Sequence, residues 1–132
     1  MALMNAIDYT SKKHLNICEI AYELAKKSDI DKSKHGAVIL KGNTIIGTGY
    51  NKYCKNINKK CYSDHAEIEA IVDAIKIYGK ESLNNTELYV VRITKDDNIT
   101  RSRQGLRFSK PCKNCTNFII KNNIKSVYYS ID

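Results

Sequence analysis

The chain has 132 residues, 42% of them hydrophobic, with five cysteines and a formal charge of +8. That length suits one core, so residues 1–132 read as a single domain. No apolar run is long enough to span a bilayer and no basic-then-apolar leader opens the chain, which predicts a cytoplasmic protein without a membrane partner.

An odd cysteine count, with one C-x-x-C beside the only proline, reads as metal binding in a reducing compartment. A redox dithiol is the alternative. The positive charge favours acidic partners, a nucleotide phosphate or a nucleic acid, although a Lys-rich surface also serves solubility.

Residues 1–10 show no period and read as an arm. From Ser11, a candidate cap, Leu15, Cys18, Tyr22 and Ala25 recur at helical spacing, with Cys18 in the core. Ala37–Leu40 reads as a buried strand, Lys41-Gly42-Asn43 as a turn and Thr44–Tyr50 as the second strand of a hairpin. Gly47 and Gly49 weaken that strand but admit a close backbone or ligand. Asn51 follows at the strand end, either as a turn residue or as a polar discriminator of substrate.

A polar loop from Cys54 to Ser63 comes next; Cys54 and Cys61 with His35 are a weak candidate for a second metal site. Asp64–Tyr78 is the second predicted helix, with Ile68, Ile71, Val72, Ile75 and Tyr78 as its apolar stripe and Gly79 as its stop. Leu88–Ile93 is a strand. A polar stretch from Thr94 to Lys110 carries Arg101, Arg103 and Arg107. Pro111 then opens a third helix, with Phe118, Ile119 and Ile120 buried, Asn122-Asn123 as its stop, and Val127–Ile131 as the last strand.

Two short stretches carry the chemistry: His65-Ala66-Glu67 and Pro111-Cys112-Lys113-Asn114-Cys115. His65, Cys112 and Cys115 are three ligands of the kind zinc prefers. Three protein ligands leave tetrahedral zinc a fourth position for water, the layout of a catalytic site. Glu67 is free to move protons, as in the H-x-E with P-C-x-x-C pattern of zinc deaminases. Asp64 and Glu67 also have capping-box spacing, so a purely structural role for Glu67 stays open.

These motifs resemble the cytidine/deoxycytidylate deaminase superfamily of the HAE…PCxxC type, from about Leu15 to Tyr129. Gly47-Thr48-Gly49-Tyr50-Asn51 and Ile124–Tyr129 resemble further strands of that family. The resemblance implies an α/β fold: a three-layer α/β/α sandwich with a mixed sheet. Its second and third helices lie side by side and bring His65 to the two cysteines. The family usually continues past the last strand seen here, so its fifth strand is expected to be missing.

The resemblance also implies hydrolytic deamination of a cytosine base, in a nucleoside or nucleoside monophosphate, to uracil and ammonia. Zn2+ would be the cofactor, Glu67 the proton shuttle, Asn51 and the backbone at Ala66 the substrate contacts, and a homo-oligomer the assembly. A base in RNA or single-stranded DNA, guanine, and a non-catalytic zinc-stabilised binding module are the alternatives. The Thr94–Lys110 stretch exceeds the family pattern by about fifteen residues, and a loop of that length is functional or disordered. Arginine pairs phosphate bidentately, so Arg103 and Arg107 are candidate phosphate contacts.

Overall fold

The computed structural model describes residues 2–30, 33–53, 63–94 and 106–131. In order these form β1 (Leu3–Ala6), α1 (Lys12–Ala25), β2 (Lys34–Lys41), β3 (Thr44–Tyr50), β4 (Lys52–Tyr53), β5 (Ser63–Asp64), α2 (Ala66–Tyr78), a 3-10 turn (Lys80–Leu83), β6 (Glu87–Ile93), α3 (Lys113–Lys121) and β7 (Ser126–Tyr129). Five strands make one mixed sheet in the order β1-β7-β6-β2-β3. β2 runs antiparallel to both β3 and β6, whereas β6, β7 and β1 are parallel. Among the described residues no helix is long and apolar enough to cross a membrane.

Strand alternation sorts the core into two layers. Ala37, Ile39, Leu88, Val90 and Val127 face α2 and α3, where Ala66, Ala70, Ile71, Ala74 and Ile119 close over them. Val38, Leu40, Tyr89 and Val91 face α1 and meet Ile17, Cys18, Ala21 and Ala25. The three-layer sandwich is therefore as expected, and Cys18 is a core residue, 6% exposed.

The fifth strand position is filled, contrary to expectation, and from the N-terminal side. β1 pairs in parallel with β7, Leu3 opposite Ser126 and Ala6 opposite Tyr129. Residues 2–10, read as an arm in the sequence, are thus held against the sheet. Backbone hydrogen bonds hold this edge, Leu3 N–H to Lys125 O at 3.0 Å and Ile7 N–H to Tyr129 O at 2.8 Å, while Leu3 itself stays 60% exposed. Of β1 only Met4 packs against the core, so the strand is held mainly by its ladder and leaves no alternation in the sequence.

The buried helix faces also differ from the expected stripes. Ser11 does cap α1, its hydroxyl accepting from His14 N–H at 3.2 Å, a contact of about 1 kcal/mol. Yet Leu15 is 45% exposed, and the small residues Ala21 and Ala25 face the sheet with Ile17 and Cys18. Gly36 on β2 explains this: a Cβ there would lie 2.0 Å from the Ala21 carbonyl oxygen. On α2 the buried set is Ala66, Glu67, Ala70, Ile71 and Ala74, and Tyr78 is 56% exposed. On α3 Ile119 is buried but Ile120 is exposed; Phe108 is likewise exposed and meets Tyr129 edge-on.

Candidate metal centre

Two helix starts build the site. His65 is the N-cap of α2 in an extended conformation, and its side chain makes no cap hydrogen bond. The imidazole turns away from the helix, toward Cys112, the N-cap of α3, and Cys115 in its first turn. The Asp64–Glu67 capping box is not formed, because the N-cap is His65 and not Asp64. The α2 helix is drawn close to β3 by Gly49, where a Cβ would lie 2.6 Å from Ala70 N and 2.7 Å from Ala66 O. The glycine thus admits a helix backbone, and with it places His65 and Glu67.

The approach to α3 is fixed by two serines that sequence reasoning did not single out. Ser109 Oγ donates to Val90 O at 2.8 Å and accepts from Ser130 N–H at 2.8 Å. Ser130 Oγ donates to Arg107 O at 2.6 Å and accepts from Arg92 N–H at 3.1 Å. Both serines are buried, and the two Ser109 bonds are made away from water, where an unmade one would cost about 1–3 kcal/mol. They lock the chain two residues before Pro111. A serine within a polar run gives no sequence signal for this.

His65 Nδ1 lies 3.1 Å from Cys115 Sγ and 3.7 Å from Cys112 Sγ, and all three ligand atoms fall within 4.8 Å of one another. A tetrahedral zinc with bonds of ~2.0 Å to nitrogen and ~2.3 Å to sulfur spaces those atoms about 3.5 Å apart. The residues therefore fit zinc in donor type and spacing. They are also the one such group among the described residues. His35 is half-buried in the site wall, and Cys54 and Cys61, its companions in the second candidate site, lie outside the described residues.

A cleft of about 320 Å³ opens beside the three ligands, lined by Glu67, Ala66, Asn51, His35 and Lys110 as well as by His65 and Cys112. Glu67 is 4% exposed. Burial pushes its carboxyl above the usual range, against the smaller opposite pulls of its own backbone N–H and of His65. Burial, then the nearby Glu67 charge, likewise raises the Cys115 thiol.

The predicted substrate contacts are dispersed. Asn51 lies in the cleft wall, but its carboxamide is bound to backbone: Oδ1 accepts from His35 N–H at 2.8 Å and Nδ2 donates to Ser33 O at 2.7 Å. Ala66 is buried at the start of α2, in the cleft wall. Arg107 sits at the end of the sheet, in an antiparallel bridge with Arg92, and is not a cleft residue. Arg101 and Arg103 lie outside the described residues. Sequence reasoning did not place Ile30, Ser33, His35 or Lys110 in the cleft lining, where the structure puts them. Lys110 directly precedes Pro111, so adjacency to the motif was the available signal.

The chain is similar to three known proteins. The chain is 27% identical to the deoxycytidylate deaminase of Mycobacterium phage D29, over 83% of this chain and 88% of that one. The fold matches the crystal structure of dCMP deaminase from cyanophage S-TIM5, in apo form, with a TM-score of 0.66 at 22% identity, covering 90% of this chain and 83% of that one. It also matches guanine deaminase from Bacillus subtilis, with a TM-score of 0.50 at 28% identity, covering 74% and 49% of the two chains. The zinc-binding region of cytidine and deoxycytidylate deaminases matches residues 11–131, which include both motifs. With that match over nearly the whole chain, and His65, Cys112 and Cys115 gathered at two helix starts, the protein belongs to the zinc-binding cytidine and deoxycytidylate deaminase family.

Proposed function

We propose that this protein deaminates a cytosine base hydrolytically, on a nucleoside monophosphate or nucleoside, converting the base to uracil in place and releasing ammonia. The observation that carries the reading is the buried Glu67 carboxyl in the same cleft wall as two of the three zinc ligands. The kinship with the phage D29 deoxycytidylate deaminase supports a nucleotide substrate. The S-TIM5 dCMP deaminase, a fold neighbour, is crystallised with dCMP and dUMP.

Held by His65, Cys112 and Cys115, zinc would supply Lewis-acid activation of water. The chain's own groups do the rest. Glu67 accepts a proton from the attacking water and returns protons to the ring nitrogen and the departing amino group. One C–O bond forms at the ring carbon, one C–N bond breaks, and one water is consumed per ammonia released. Burial raises the pKa of this carboxyl, the direction that favours its protonated form, which a proton shuttle must form and give up again in each turnover. Asn51 keeps the Ser33–His35 wall in place, and the backbone of Ala66 borders the base.

The test is a deamination screen by mass spectrometry over cytidine, deoxycytidine, their monophosphates, guanine, and short RNA and single-stranded DNA. Turnover of cytosine mononucleotides or nucleosides is expected. Turnover confined to guanine or to oligonucleotides would overturn the reading.

A further inference from the structure

The geometry points to Lys110, backed by the guanidinium of Arg92, as the subsite that takes the anionic group of the substrate, its 5′-phosphate. This rests on the function proposed above and assigns the phosphate contact to a residue other than the arginines singled out in the sequence.

Lys110 lines the cleft beside Cys112, and it is the one lysine or arginine among the described residues that does so. Its backbone is held in place by the buried Ser109–Ser130 pair immediately before it. The side chain itself is exposed at the cleft. The other nitrogen base in that wall, His35, is neutral at pH 7, since burial first and Arg92 second bring its pKa down to about 4. It contributes no charge there.

Arg92 stands behind this flank. It is the cross-strand partner of His35, and strand alternation turns it to the α2 and α3 side of the sheet, with Leu88 and Val90. Its Nη1 donates to Phe108 O over a long 3.4 Å. Its Nε–H is buried with no acceptor, the single such side-chain atom among the described residues. The ion pairs of the described residues are Lys13–Glu87, Lys26–Glu23 and Lys52–Glu69, and neither Arg92 nor Lys110 belongs to one.

Lys110 therefore borders the cleft that holds the Glu67 carboxyl, with Arg92 behind it, and among the described residues neither cation has an ion-pair partner. Arg92 is half-buried, and its one buried, unmet N–H leaves part of the guanidinium's donor capacity unused. The field of such a pair, focused in a cleft with low-dielectric walls, raises the local concentration of anions. A ligand with an anion at one end and a neutral base at the other matches that layout. A nucleoside has nothing for Lys110 to meet, whereas a nucleoside monophosphate does. Lys110 makes the direct contact; Arg92, with its Nε buried, acts by position and charge.

The experiment compares binding of dUMP and deoxyuridine by titration calorimetry, in the wild type and in Lys110→Gln, with Arg92→Met as a second variant. Lys110 is on the surface, so its variant tests the contact without a folding penalty. The wild type is expected to prefer dUMP by tenfold or more, with a preference that weakens with salt, and Lys110→Gln is expected to remove most of that preference. A wild type with no preference for the phosphate, or a preference that survives in Lys110→Gln, would overturn the proposal. Turnover is scored separately. A protein that selects dUMP through Lys110 yet deaminates no cytosine substrate would sink the proposed function and leave this subsite standing.

Discussion

Asn51 and His35 are bound to each other at two points across the start of β2 and the end of β3. Asn51 Oδ1 accepts from His35 N–H at 2.8 Å, and Asn51 N–H donates to His35 O at 3.2 Å. The same carboxamide donates to Ser33 O at 2.7 Å. Asn51 is 6% exposed, so these bonds are made out of water.

Asn51→Ala therefore leaves a backbone N–H and a carbonyl without their partners in the cleft wall. Each unmet group costs about 1–3 kcal/mol, so a loss of roughly 2–4 kcal/mol in stability is expected. Urea denaturation checks it. A variant with the wild-type midpoint would show that Asn51 is not needed to hold the wall.

The metal centre predicts one zinc per chain. Elemental analysis of the purified protein is expected to find it, and to find it lost in the double variant Cys112→Ala, Cys115→Ala. Chelation should also lower the melting temperature, because the ion ties the start of α2 to the start of α3. Zinc content unchanged by the double substitution would rule out this ligand set.

Glu67→Gln keeps the shape of the side chain and removes the proton acceptor. Retained zinc and a retained fold are expected, with kcat reduced by ~10² or more. Near-normal turnover would refute the proton-shuttle role. Equal binding of the nucleotide before and after the change, with no turnover in either protein, would instead mark a binding module.

His35 sets a pH dependence. Its pKa falls from the ordinary 6.5 to about 4, through burial first and the Arg92 charge second. Between those values the unfolded chain holds a proton that the native chain refuses. Stability is thus fully present above pH 6.5 and is lost as pH falls toward 4. The full extent is on the order of 3 kcal/mol. Denaturant midpoints measured near neutrality and at about pH 5 should show this loss in the wild type and a smaller one in His35→Gln. Equal losses in the two proteins would assign the acid sensitivity to other groups.

The ligand set was legible in the sequence because its signal is local. His65 and Glu67 are two residues apart, Cys112 and Cys115 three, and each pair opens its own helix. Ser11, Gly42 and Asn122 likewise announced a cap, a turn and a stop through backbone chemistry that needs no distant partner. Only the tertiary structure decided the rest. β1 is a strand because β7 offers it a ladder, not because its own residues alternate. Ala21 joins the expected Cys18 and Ala25 in the core in place of Leu15 because Gly36 lets α1 settle onto β2. The cleft belongs to residues far apart in the chain, with His35 and Lys110 both in its lining while Arg107 is drawn into the sheet beside Arg92. Ligand identity is encoded in neighbouring side chains, whereas the shape and charge of the space around them depend on which distant backbones can approach one another.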